Sequence, residues 1–219
     1  MCGRFTLRTS LNVLLQQFAI EMLPDQQLLF EPRYNIPPTV DIPVIRYADE
    51  KRRLSLMRWG LLPSWTKDPK KTPLLNNARA ETVAEKPSFR TAFKKRRCLI
   101  PVDRFYEWKT IGKAKQPYYF RRQDERPFAF AGLWETWNDI ESCTIITTEA
   151  NELMAPIHHR MPVVLATNDY DEWMDPAAAD LATLLLPCPA DELICYPVDP
   201  VVNNSRNEGP QCIVPMNSV

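Results

Sequence analysis

The sequence predicts an α+β fold: a curved, mainly antiparallel sheet or partial β-barrel with helices at its periphery. Three observations carry that expectation. Strand-like apolar runs come in clusters joined by short polar turns, without the repeating strand-helix-strand alternation of a parallel sheet. The 219 residues include 21 prolines and only 5 glycines. Those prolines are interleaved with Trp and Leu instead of gathering in one tract, as stiff ordered loops between short strands require. No linker or compositional break interrupts this texture, so residues 1–219 read as a single domain, long enough to bury a sizeable core.

Taken in order, Leu11, Leu14, Leu15 and Phe18 follow the i, i+3, i+4, i+7 spacing of an amphipathic helix, with Ser10 placed to cap it. The stretch EPRYNIPPT reads as a proline-bound loop. IPVIRYA and LSLMRW flank the polar turn DEKRR and read as a hairpin. Residues 60–75 are rich in Pro, Lys and Trp without periodicity, which marks a candidate functional loop before NNARAET. A helical pattern from about Ala80 to Phe93, interrupted at Pro87, leads through KKRR into the strand-like CLIPVDRFYEW. PYYFRR, FAFAGLWETW and CTIITT are further strands. Glu149–Ile157 reads as a short helix, MPVVL as a buried strand, Asn168–Met174 and Ala177–Leu186 as helices, and LICYPV as a final strand before the polar turn NNSRNEGP.

The charge is balanced, with 27 basic and 27 acidic residues, so any nucleic-acid partner must be gripped by a local patch without long-range steering. No apolar stretch reaches the roughly 20 residues that span a bilayer, and MCGRFTLRTS lacks the apolar centre of a secretion signal; a cytoplasmic protein is expected. The six cysteines form no CxxC pair. The only histidines, His158 and His159, point to opposite faces if their segment is extended, so no metal site and no cofactor are expected.

Cys2 is the most informative residue. If Met1 is removed, the new terminus is a 1,2-aminothiol, which takes an aldehyde as a Schiff base through nitrogen and closes a thiazolidine when sulfur adds to the same carbon. An α-amine is also better deprotonated than lysine at pH 7, by roughly 400-fold on reference pKa values. The plain alternative is a small buried residue. Glu107, between Tyr106 and Trp108, shares a strand face with Phe105; apolar surroundings suit it to proton transfer near neutrality, against the commoner fate of an exposed strand glutamate. His158 offers a second proton shuttle, and His159 is as good a candidate on composition. Asn77, Arg79 and Glu81 fall on one face if NNARAET is extended, where Arg79 either meets a phosphate or pairs with Glu81. Arg4 and Arg160 are each close in sequence to a candidate catalytic residue, where phosphate contacts orient a nucleic acid. Trp59, Trp65 and Trp108 can stack on unpaired bases, although core packing is the usual role of tryptophan.

Together MCGRF, RYNIPP, RWGLLPSW, NNARAET, CLIPVDRFYEWK, IHHRMPVVL and NNSRNEGPQCIVP, in this order through nearly the whole chain, resemble the SOS response-associated peptidase family, also described as abasic site processing proteins. The resemblance implies a protein that recognises abasic sites in single-stranded DNA and crosslinks to the ring-opened sugar aldehyde as a thiazolidine; a monomer away from membranes is expected. By motif, Cys2 is then the nucleophile, Asn77 positions the terminus, Glu107 is the acid/base and His158 assists. Arg4, Arg79 and Arg160 hold phosphates, with Trp65 in the loop that meets DNA. The resemblance also implies lyase cleavage through the Schiff base and autocatalytic loss of Met1. Two rivals make different demands: a cysteine peptidase needs only the Cys2 thiol with His158 as base, and a noncovalent single-strand binder needs no Cys2 at all.

Overall fold

The structure is a computed structural model that describes residues 2–24 and 31–216. Met1 lies outside the described residues. The strands in chain order are β1 (Phe5–Leu7), β2 (Arg33–Ile36), β3 (Asp41–Ala48), β4 (Lys51–Trp59), β5 (Asn77–Arg79), β6 (Arg97–Val102), β7 (Arg104–Ile111), β8 (Ala114–Arg122), β9 (Phe128–Trp137), β10 (Ile140–Glu149), β11 (Arg160–Pro162), β12 (Val164–Leu165) and β13 (Leu193–Pro197). The α-helices are short: α1 (Leu11–Gln17), α2 (Arg90–Lys95) and α3 (Tyr170–Met174). This is the expected α+β architecture around a mainly antiparallel barrel.

Five strands close on themselves. β9 pairs with β6, β6 with β3, β3 with β4, β4 with β10, and β10 with β9, so the ring has no free edge. The β4–β10 and β5–β10 pairings are parallel and the others in this sheet antiparallel. β5 and β11 both attach to β10, Thr147 standing opposite Arg79 on one side and Pro162 on the other. A second sheet, in the order β13-β8-β7-β1-β2, lies against the barrel.

The chain crosses between the sheets at Asp103. CLIPVDRFYEW reads as one strand in sequence but is two, β6 in the barrel and β7 in the second sheet. Asp103, 3% exposed, stabilises the break: its carboxylate accepts from Thr9 N (3.1 Å) and Thr9 Oγ1 (2.6 Å), which also fixes the end of β1. An aromatic cluster fills the space between the layers. Phe105 stacks on Phe120 (5.0 Å, 12°) and meets Phe130 edge-on, while Phe5 packs against Trp59 at 5.2 Å. Each such fully buried ring contributes on the order of 1.5–3 kcal/mol. The opposite face of the second sheet carries Tyr106 and Tyr119, covered by Val198, Val202 and Cys212 of the C-terminal segment.

Several elements differ from the sequence reading. RYNI, expected as loop, is β2, because its residues pair with β1 and Pro37 and Pro38 end the strand only after Ile36. The β3–β4 hairpin is as expected, turning at Asp49 and Glu50, both at positive φ (51° and 61°). The long pattern from Ala80 resolves into a 3₁₀ turn at Ala80–Thr82 and α2. Glu149–Ile157 forms turns held by Asn151, whose Oδ1 accepts from Met154 N at 3.0 Å. The helix expected over Ala177–Leu186 shrinks to a 3₁₀ turn at Ala182–Leu185, since Asp175 Oδ1 ties Ala177 N into a turn (2.8 Å) and Pro187 stops the chain downstream. Ser10 stands at the start of α1, yet its side chain makes no capping bond.

Candidate active site

The segment before β1 runs beside β7. Phe5 pairs with Phe105, and Tyr106 N donates to Arg4 O at 3.0 Å. Two further residues along this antiparallel register, Gly3 stands across from Glu107. Phe105 belongs to the main core and Tyr106 to the outer cluster, as strand alternation demands. Glu107 is 2% exposed, which removes the reading of a solvent-facing glutamate.

Cys2 is wholly buried. Asn77, the first residue of β5, donates from Nδ2 to Cys2 O at 2.8 Å, so the barrel edge holds the backbone of the segment's head. Burial pushes the Cys2 thiol far up, and the Glu107 carboxylate raises it further; the positive chain terminus and a backbone hydrogen bond from Arg4 only partly oppose this. The thiol is therefore protonated at neutral pH.

His158 precedes β11. It does not diverge from His159 as the extended reading expects, because a bend at this point stacks the two rings at 4.5 Å and 27°. The His159 pKa is lowered, first by the charge of His158 and then by slight desolvation, the chain terminus, Arg160 and Arg79.

The arginines are differently engaged. Arg79 is exposed. Arg160 is 8% exposed and forms a two-pronged pair with Glu81, Nη1 to Oε1 at 2.5 Å and Nη2 to Oε2 at 3.0 Å. Glu81 thus meets Arg160, and Arg79 is left to face solvent, because the chain leaves the extended conformation at Ala80. Arg4 Nη1 donates to Asn35 Oδ1 (2.6 Å) and Val202 O (3.0 Å), and its guanidinium lies 5.6 Å from the Trp108 ring centre. Trp59 is core. Trp65 is 63% exposed on the loop between β4 and β5, beside Thr66, whose carbonyl accepts from Trp137 Nε1 at 2.6 Å.

Sequence reasoning missed Asn35. It is fully buried, and its Nδ2 reaches the carbonyls of Val202 (3.3 Å), Asn204 (3.1 Å) and Asn207 (2.7 Å), strapping the C-terminal segment to β2 beside Arg4. An asparagine in a segment read as loop gave no sign of burial. Among the described residues no group of three or more His, Cys, Asp or Glu is arranged to hold a metal.

Residues 1–205 match the family model described as SOS response associated peptidase. The chain belongs to this family. Among its SOS response associated peptidase relatives, the abasic site processing protein YoqW of Bacillus subtilis is 44% identical over 223 residues, covering 97% of this chain and 99% of that protein. The abasic site processing protein HMCES of Xenopus tropicalis is 34% identical, covering 84% of this chain and 66% of the longer protein. A crystal structure of a Bacteroides thetaiotaomicron protein superposes with a TM-score of 0.88 at 27% identity, covering 98% of this chain and all of that one.

Proposed function

We propose that this protein captures abasic sites in single-stranded DNA as a thiazolidine formed by the α-amine and thiol of Cys2 after Met1 is removed. The observation that carries the reading is the seat of Cys2: a wholly buried residue, its carbonyl fixed by Asn77 at 2.8 Å, in the field of the buried Glu107 carboxylate.

The chemistry balances without a cofactor. The free amine attacks the aldehyde carbon of the ring-opened sugar. Glu107 takes a proton from the attacking amine and returns one to the carbinolamine hydroxyl, which leaves as water. Cys2 Sγ then adds to the carbon of the resulting C=N bond, and the thiol proton ends on nitrogen, so the net change is loss of one water. His158 serves as a second proton carrier. Amine-first order suits a site whose thiol is held protonated, because the sulfur waits for a strong electrophile. The Schiff base is also the branch point for strand cleavage, and ring closure by sulfur competes with it.

Arg79 and Trp65, both exposed, are the assigned contacts to phosphate and to an unstacked base, whereas Arg4 and Arg160 are already engaged within the protein. A missing base removes pairing and stacking, so its sugar costs little to draw into a pocket.

Intact mass spectrometry before and after incubation with a single-stranded oligonucleotide carrying one abasic site tests this. The expected result is loss of the Met1 mass, then a denaturation-resistant adduct of the oligonucleotide mass less one water, absent in Cys2→Ala and in protein acetylated at the terminus. If Met1 is gone and no adduct forms, the proposal fails. An adduct-free protein that still binds the oligonucleotide as Cys2→Ala is the noncovalent binder, and one that cleaves peptides with a blocked amine is the peptidase.

A further inference from the structure

Arg160 ties three strands together. It opens β11 opposite Glu149 of β10, and its Nη2 donates to Thr147 O of β10 at 2.6 Å while the guanidinium reaches past β10 to Glu81, just beyond β5. The clasp therefore joins the strand that presents Asn77 to the strand that follows His158. Arg160 is buried and Glu81 half exposed, so the pair sits at the surface end of a closed contact.

The backbone of the same arginine meets the histidine. Arg160 N donates to His158 Nδ1 at 3.0 Å, and Arg160 O lies 3.1 Å from that nitrogen. A backbone N–H only donates and a carbonyl only accepts, so Arg160 offers Nδ1 a partner whether the neutral ring carries its proton on Nε2 or on Nδ1. When the ring gains a second proton, Nδ1–H has Arg160 O as its acceptor. One residue thus supplies a partner for Nδ1 in either protonation state, as a group that takes up and gives back a proton requires.

We propose that Glu81 is a positioning residue for His158, acting through Arg160: its carboxylate anchors the arginine whose backbone presents both donor and acceptor to Nδ1, and so holds the His158 ring in one orientation and one neutral tautomer. This rests on the reading of His158 as a proton carrier for the Cys2 site. The assignment differs from a phosphate-binding role for Arg160, because the guanidinium is committed to Glu81 and Thr147. His159, Arg79 and the chain terminus also act on this neighbourhood, and removal of Glu81 leaves those three in place.

The test uses the whole protein. Nitrogen-15 chemical shifts of the two histidine rings report the tautomer directly, and with only two histidines in the chain His159→Asn completes the assignment. Wild type is expected to show the ring shifts of a single tautomer for neutral His158. Glu81→Ala is expected to move those shifts toward the tautomer-averaged position and to slow crosslinking by roughly tenfold, less than the ~10²-fold or more that a lost acid–base group costs. Glu81→Gln, which keeps one acceptor oxygen for the guanidinium, is expected to recover part of both. Tautomer-averaged ring shifts in neutral wild-type His158 overturn the proposal. So does a Glu81→Ala protein whose tautomer is unchanged, whether its crosslinking is normal, slowed, or accompanied by tighter DNA binding. If wild type forms no adduct, the crosslinking reading falls, and the ring shifts still decide whether Glu81 governs the tautomer.

Discussion

Asn77→Ala isolates the contact between the barrel and the head of the chain. The bond from Nδ2 to Cys2 O is 2.8 Å long, and Cys2 is wholly buried, so water does not replace the lost donor. A buried carbonyl left unpaired costs about 1–3 kcal/mol. In the proposed mechanism that carbonyl is one bond from Cα, which bears the amine and carries the thiol on the adjacent Cβ, so its loosening misplaces both nucleophiles together. If the whole cost is felt in the transition state, crosslinking slows by about 5- to 150-fold. Asn77→Asp should be at least as slow, because a carboxylate offers no donor and adds charge near Glu107. The assay is a time course of denaturation-resistant adduct with excess abasic oligonucleotide, alongside thermal unfolding to show that the barrel is intact. A folded Asn77→Ala protein crosslinking within about twofold of wild type would refute the reasoning.

Trp65→Ala should leave the melting temperature unchanged, since the ring is 63% exposed, and should weaken binding of single-stranded DNA by about 1–3 kcal/mol, read by fluorescence anisotropy. Gly132→Ala puts a methyl 2.8 Å from Ile100 Cδ1 and 2.9 Å from Cys98 Sγ inside the closed ring of strands. Overpacking there should cost about 1–3 kcal/mol, lowering the melting temperature by about 2–4 °C per kcal/mol while crosslinking by the folded fraction persists.

The fold was legible where periodicity and turn chemistry agreed. Leu11, Leu14 and Phe18 marked α1, and the DEKRR turn marked the β3–β4 hairpin, because both depend on neighbours within a few residues. What failed depends on distant partners. RYNI is a strand only because β1 lies beside it, and Ala177–Leu186 has helical spacing but is interrupted by an Asp175 turn. Closure of five strands into a ring is invisible in sequence, since no local signal pairs β9 with β10 on one side and β6 on the other.

The candidate site divides the same way. Strand alternation placed Glu107 on the Phe105 face, and its burial follows from the core that Phe105, Phe120 and Phe130 build there. Alternation also put Glu81 on the face of Arg79, and there it misled, because the chain turns at Ala80 and the carboxylate reaches Arg160 on another strand. That difference alters the electrostatics of DNA capture. Of the three arginines assigned to phosphates, Arg160 is neutralised by Glu81 and Arg4 is bound to Asn35 and Val202, which leaves Arg79 exposed. A balanced chain in which only one of these three arginines is free for phosphate has little with which to hold an undamaged backbone, since affinity of that kind scales with the number of phosphates neutralised. Selectivity for a lesion then has to come from the aldehyde itself, through a bond that no intact nucleotide can form. The expected signature is a shallow salt dependence of noncovalent binding, with covalent capture that stays fast in salt once the sugar is engaged.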